Sequence, residues 1–206
     1  MDRIPDYTVL ARPGRSRVSQ WQASASHAHP SRRSMYQRAM GDSFDGLAPA
    51  VKRFHQLSGS CALRGWVETQ KPASFLARLM ARALGTPREA GKGPLRLKLD
   101  AAAVTETWTR RFPRKTMVSR LELNGAEVDE VLGPARLSFA LVSEGTKLVM
   151  HLRKVRLFGI SCPSWLMPSV VAEEIGEGDL LHFRSEARLP LIGVIASYHG
   201  HFVIPR

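Results

Sequence analysis

Residues 93–125 read GPLRLKLDAAAVTETWTRRFPRKTMVSRLELNG, and this stretch decides the fold. Leu95, Leu97 and Leu99 alternate with Arg96 and Lys98. A period of two puts the leucines on one face of a β-strand and the cations on the other. Val104 to Phe112 and Thr116 to Leu123 predict two further strands, and Asn124-Gly125 is a dipeptide favoured in tight hairpins.

The same period continues toward the C-terminus. Leu137, Phe139 and Leu141 follow Pro134, and Leu148 to Leu157 follow the turn at Gly145. After a loop or short helical turn at Pro163 to Pro168 come Val170 to Ile175, Leu180 to Leu189 and Ile192 to Ile204. Gly176-Glu177-Gly178-Asp179 turns between the first two of these. Toward the N-terminus, Cys61 to Thr69 is one more strand. A helix separates it from Leu95: Pro72 opens it, Phe75, Leu76, Leu79, Met80 and Ala83 form its apolar face, and Gly85 closes it. Arg78 and Arg82 make the other face basic, a combination that also suits a membrane surface. The expectation is that the helix lies on the sheet through its apolar face. A shorter helix carries Leu47, Ala50, Val51, Phe54 and Leu57, with Pro49 in its first turn.

About nine strands without a late βαβ pattern predict a mainly β (α+β) chain built as an antiparallel meander. A sheet that long curls or closes, because an open one leaves unpaired edges. A partly or fully closed up-and-down β-barrel leads, with a curved sheet wrapped around the helix as the alternative.

Residues 1–40 differ from the rest. They hold seven arginines, two aspartates, many serines and no sustained periodicity. They read as a disordered basic tail ahead of a single domain over residues 41–206, with a transit peptide and a true start at Met40 as other readings. The remainder of the net charge of +12 is spread singly, which argues against specific nucleic-acid binding. The sequence holds no apolar run of the ~18 residues that cross a bilayer, and no signal peptide opens it. Cys61 and Cys162 sit in no paired-cysteine motif and read as free thiols, so a cytoplasmic location is expected.

Motifs for known chemistry fail. Gly85 to Gly91-Lys92-Gly93 is spaced wrongly for a phosphate loop and leads from helix to strand. His199 and His201 share a strand face and His182 is a possible third arm, but outward histidine pairs are commoner than metal sites. No metal, cofactor or catalytic residue is expected; the reading leans away from an enzyme, and a hydrolase or isomerase using Glu173, His55 or His151 has no geometric support in the sequence.

The informative feature is an arginine on an apolar face. Alternation groups Val104, Trp108, Arg110 and Phe112, and separately Val171, Glu173 and Ile175. A buried charge needs a partner. Two readings stand: an internal Arg110–Glu173 ion pair, or a concave apolar site where Arg110 anchors the anionic head of a small molecule. Ser119, Ser185 and Tyr198 supply further polar contacts in the second. The expected ligand-binding set is therefore Trp108, Arg110, Ser119, Glu173 and Tyr198.

These residues also carry a resemblance. Leu47-Ala48-Pro49-Ala50-Val51-Lys52-Arg53-Phe54-His55, Trp108-Thr109-Arg110-Arg111-Phe112 with Ser119, and Leu132-Gly133-Pro134 are similar to segments of the bacterial domain of unknown function 4166 family. Gly159 with Pro163 and Pro168, Glu173 or Glu174, and Leu191-Ile192-Gly193 with Tyr198-His199-Gly200 continue the likeness in order. It covers roughly residue 42 to the C-terminus. Members resemble stand-alone domains or tails behind Rossmann-type reductase domains. The curved sheet with polar groups on its apolar face predicts a binding module for an apolar or amphipathic small molecule; the alternative, which follows from the resemblance, is an accessory domain for a separately encoded oxidoreductase. It brings no catalytic residues.

Overall fold

The structure, a computed structural model, describes residues 33–206. Alternating leucines and charges become β1 (Gly59–Thr69), β2 (Gly91–Ala101), β3 (Thr105–Arg111), β4 (Thr116–Asn124), β5 (Glu127–Leu132) and β6 (Ala135–Glu144). They continue as β7 (Lys147–Leu157), the two-residue β8 (Ile160–Ser161), β9 (Ser169–Glu177), β10 (Leu180–Leu189) and β11 (Gly193–Val203). Each long strand pairs antiparallel with its neighbours in sequence, β7 pairs with β9, and β1 returns to β11. Among the described residues ten strands thus close a full barrel, and β8 pairs only with β7 outside the ring.

The expected count falls one short at β5, the return arm of the Asn124-Gly125 hairpin. Its inward residues are Val128, Glu130 and Leu132, so a carboxylate interrupts the apolar stripe that marks a strand. At the closing seam, a side chain on Gly65 or Gly200 would overlap the backbone of the opposing strand. Glycine permits that close approach.

Inside, Leu95, Leu97 and Leu99 are buried while Arg96 and Lys98 face solvent, as the period of two requires. Full burial of each leucine contributes roughly 1.5–3 kcal/mol.

Because strands alternate in direction, the two ends of the barrel have different covers. At the end where β1 begins, α1 (Met35–Met40), a 3-10 turn (Gly41–Gly46) and α2 (Pro49–His55) form a plug. Ser34 and Gln37 cap α1 reciprocally, and Met35, Tyr36, Phe44 and Phe54 are buried. The domain therefore begins before residue 40. The Met40 boundary fails because α1 brings two fully buried side chains. The rest of the expected tail lies outside the described residues. The plug is fastened by Arg53, whose Nη2 donates to Asp179 Oδ1 at 2.9 Å, and by Ala48 N–H donating to Thr146 O at 2.8 Å.

The opposite end is spanned by α3 (Phe75–Ala83). Ser74 accepts from Ala77 N–H at 3.1 Å as N-cap, and its hydroxyl donates to Ile192 O at 3.0 Å. At the other end of α3, Gly133 lies so close to Ala83 O that a Cβ there would clash. The helix thus bridges the β10–β11 and β5–β6 turns. Its orientation reverses the expectation. Ala77 and Ala81 are fully buried, with Met80 and Leu84 beside them, while Phe75, Leu76 and Leu79 are exposed. The close approach to Leu189 and Ile195 admits the alanine face, not the bulky one. Among the described residues no helix is long and apolar enough to cross a membrane.

Candidate ligand-binding cavity

The barrel is not filled by its own side chains. It encloses a cavity of about 570 Å³ that extends from the α3 end to the plug. Its walls include Leu95, Leu121, Leu137, Phe139, Met150 and Phe183. Met80 and Leu84 of α3 border it on one side of the mouth, Phe158, Ile160 and Leu166 of the β7–β9 connection on the other. Tyr36 and Phe54 of the plug form its floor.

One wall is polar. Alternation along β3 turns Glu106, Trp108 and Arg110 inward. The Arg110 guanidinium carbon lies 4.5 Å from the Trp108 ring centroid, a cation–π contact. Arg110 Nη1 donates to Ser119 Oγ at 3.1 Å, and Glu130 Oε1 is 3.6 Å from the same nitrogen. That separation gives Coulombic attraction without a full hydrogen bond. Trp108 Nε1 donates to Glu106 Oε2 at 2.7 Å. Tyr198 lines the cavity near Arg110, its ring edge against Phe112 at 5.4 Å. Burial pushes the Tyr198 hydroxyl pKa up, Arg110 opposing and Glu130 adding.

Behind the floor lies a second polar group, reaching the cavity through Glu174. His55 Nε2 and Glu174 Oε2 are 2.6 Å apart in a buried ion-pairing geometry. The imidazole stacks on Tyr36 with ring centroids 3.6 Å apart. The Tyr36 hydroxyl is buried without a hydrogen-bond partner in the protein. Burial first, then the carboxylates of Glu106, Glu174 and Glu130, hold its pKa well above the usual range. Glu106 is itself raised, chiefly by burial, with His55 opposing.

Residues 47–202, which contain the cavity walls and most of these polar groups, match the family described as Domain of unknown function (DUF4166). The chain belongs to that family. No curated protein matches it. Among solved structures, the crystal structure of Rv2717c from M. tuberculosis is similar, at 13% identity and a TM-score of 0.43, covering 78% of this chain and 99% of that one. A likeness of that degree carries no argument, and no residue is transferred from it.

In this DUF4166 chain the expected set is brought together except at one position. Trp108, Arg110, Ser119 and Tyr198 converge on one side of the interior. Glu173 does not join them. Strand β9 turns Val170, Ala172 and Glu174 inward, so Val171, Glu173 and Ile175 face outward, and the Glu173 carboxylate lies 3.5 Å from Lys147 Nζ. The Arg110–Glu173 pair is therefore replaced by Arg110–Glu130. Val104, expected on the Trp108 face, sits exposed in the turn before β3.

Tyr36, Glu106, Glu130 and Glu174 were not anticipated as ligand-binding residues, and His55 was weighed only as a catalytic candidate. Glu106 stands two positions before Trp108 on the same strand face and was legible by parity alone. Tyr36 is announced only by the Ser34-x-x-Gln37 capping pattern, and it lies ahead of the span that the DUF4166 family matches. His182, His199 and His201 lie on the outer wall, the first and last with ring centroids 5.7 Å apart. No group of three potential metal ligands occurs among the described residues.

Proposed function

We propose that the protein is a non-catalytic binding module that takes an apolar or amphipathic small molecule into the barrel. The observation that carries this reading is the apolar cavity of about 570 Å³ with Arg110 on its wall. Small-molecule sites commonly measure about 300–1,000 Å³ and combine apolar walls with a few fixed polar groups. The guanidinium is oriented by Ser119 and Trp108 and only loosely engaged by Glu130, so it retains donor capacity for a head group. The Tyr36 hydroxyl at the floor is a further unpartnered polar group, able to donate or accept. The Arg110 guanidinium favours a ligand whose polar end accepts hydrogen bonds, such as a carboxylate.

The test is fluorescence titration with a dansyl-labelled medium-chain fatty acid, alongside native mass spectrometry of the purified protein. Saturable one-to-one binding is expected in the wild type. Arg110→Met should weaken it roughly tenfold or more, the loss of one charge-assisted hydrogen bond. Ala172→Trp, which fills the cavity from β9, should abolish it. No saturable binding together with no co-purified small molecule would defeat the reading.

A further inference from the structure

The mouth of the barrel carries a feature that ligand enclosure does not require. Phe75 is 79% exposed and Leu79 53% exposed on the outer face of α3, with Leu76 beside them. Leu191, wholly exposed, projects from the β10–β11 turn to which Ser74 ties the start of the helix. Across the opening, Phe158, Ile160 and Trp165 are each more than two-thirds exposed. At the plugged end the exposed large apolar side chains among the described residues are the β-branched Val104, Ile175 and Val203, none of them aromatic and each about half exposed. Bulky apolar groups thus ring one end of the barrel.

Charge separates the same two ends. The segments covering the mouth (70–90, 112–115, 133–134, 158–168 and 190–192) hold six Lys or Arg residues against one acid, Glu89. That acid is taken up by Arg114 Nη1 at 2.8 Å. The segments at the plugged end (33–58, 102–104, 125–126, 145–146, 178–179 and 204–206) hold three acids and five Lys or Arg residues, a smaller excess of positive charge than at the mouth. Arg78 and Arg82 flank the apolar ridge of α3 directly.

We propose that this end docks on an anionic bilayer surface. The α3 helix then lies in the interface, with Phe75, Leu76 and Leu79 among the acyl chains and Arg78 and Arg82 at the phosphates. Such a helix binds through buried apolar area and attraction to anionic lipid together. Trp165 on the opposite lip suits the headgroup level, where indoles collect. A bilayer fits this end better than a protein partner does. The apolar groups stand on three separate segments around an opening, and a fluid surface accepts that outline without needing a complementary shape. The inference goes beyond the ligand reading and stands if that reading fails, because vesicle binding is measured without any cavity ligand.

The experiment is co-flotation of the full chain with vesicles of equimolar phosphatidylcholine and phosphatidylglycerol, and with phosphatidylcholine alone. Binding to the anionic vesicles is expected at low salt, at least about tenfold tighter than to the neutral ones and weakened by added salt. Arg78→Glu with Arg82→Glu, and separately Phe75→Ser with Leu79→Ser, should each lower the affinity roughly tenfold or more. All four positions are exposed, so unchanged thermal midpoints are expected as the folding control. Brominated lipid should quench tryptophan emission in the wild type, and Trp165→Phe should remove that quenching. Failure to bind anionic vesicles overturns the proposal and leaves the apolar ring to a protein partner. Binding that survives both double variants also overturns it, assigning attachment to other basic residues, such as the arginines of the 1–32 sequence.

Discussion

The two ends of this barrel solve the same problem in opposite ways. At the plugged end, helices send Tyr36, Phe54 and His55 into the interior, and His55 Nε2 meets the Glu174 carboxylate of the barrel. At the mouth, α3 touches the barrel through Ala77, Met80 and Ala81 and turns Phe75, Leu76 and Leu79 to solvent. The first cover is a structural part of the core. The second rests on small contacts. The difference teaches that the apolar face of a helix is defined by what it is near, not by the helix alone.

The largest test of this contrast removes α1. A chain beginning at Met40 loses Met35 and Tyr36, both fully buried, and exposes the cavity floor. Large-to-small changes at such sites each cost about 2–5 kcal/mol. The truncation is therefore expected to lose on the order of 5 kcal/mol in urea denaturation, or not to fold. A truncated chain as stable as the full one would show that the plug is not part of the core.

Next in size is the His55–Glu174 contact. His55→Ala removes the partner of a buried carboxylate together with the stacking on Tyr36. Breaking a buried pair on one side costs about 3–5 kcal/mol. Equilibrium unfolding at neutral pH reads this directly, and a loss under about 1 kcal/mol would mean that water reaches Glu174 at the plugged end.

A smaller effect is expected at Glu106, and its sign depends on pH. Burial raises the pKa of this carboxyl in the folded chain above its unfolded value. The unfolded chain then releases the proton first, so stability falls as pH rises from the unfolded pKa through the folded one. Glu106→Gln keeps an oxygen that accepts from Trp108 Nε1 and removes the ionisation. The variant should gain stability relative to the wild type at pH 7, and the gain should shrink toward pH 4. A gain independent of pH would place its cause elsewhere.

Much of the fold was legible because alternation is a local signal. Leu95, Leu97 and Leu99 need only their own strand to declare an inside, and Asn124-Gly125 declares a hairpin. The site was legible in part. Trp108, Arg110 and Phe112 share a face whatever the rest of the chain does, and Ser119 follows from the β3–β4 register, where it stands opposite Trp108. Glu173 was misplaced because Val171 and Ile175 imitate an inward stripe. Parity within one strand does not say which face is inside, and in β9 the inward set is the less apolar one. Glu130 and Tyr36 depend on contacts far apart in sequence, which no local period carries.

The smallest expected effect discriminates most sharply between the two descriptions of α3. If Phe75, Leu76 and Leu79 packed on the sheet, as their spacing suggests, Leu79→Ala would cost about 2–5 kcal/mol through lost burial and a cavity. In the structure Leu79 is exposed, and the substitution should change stability by no more than about 0.5 kcal/mol, helped by the better helix propensity of alanine. The complementary change, Ala81→Leu, forces bulk against the barrel and should cost about 1–3 kcal/mol. Both variants are read by the shift in urea midpoint at constant slope. A silent Ala81→Leu beside a severe Leu79→Ala would reverse the helix. It would also remove the exposed ridge on which membrane docking depends.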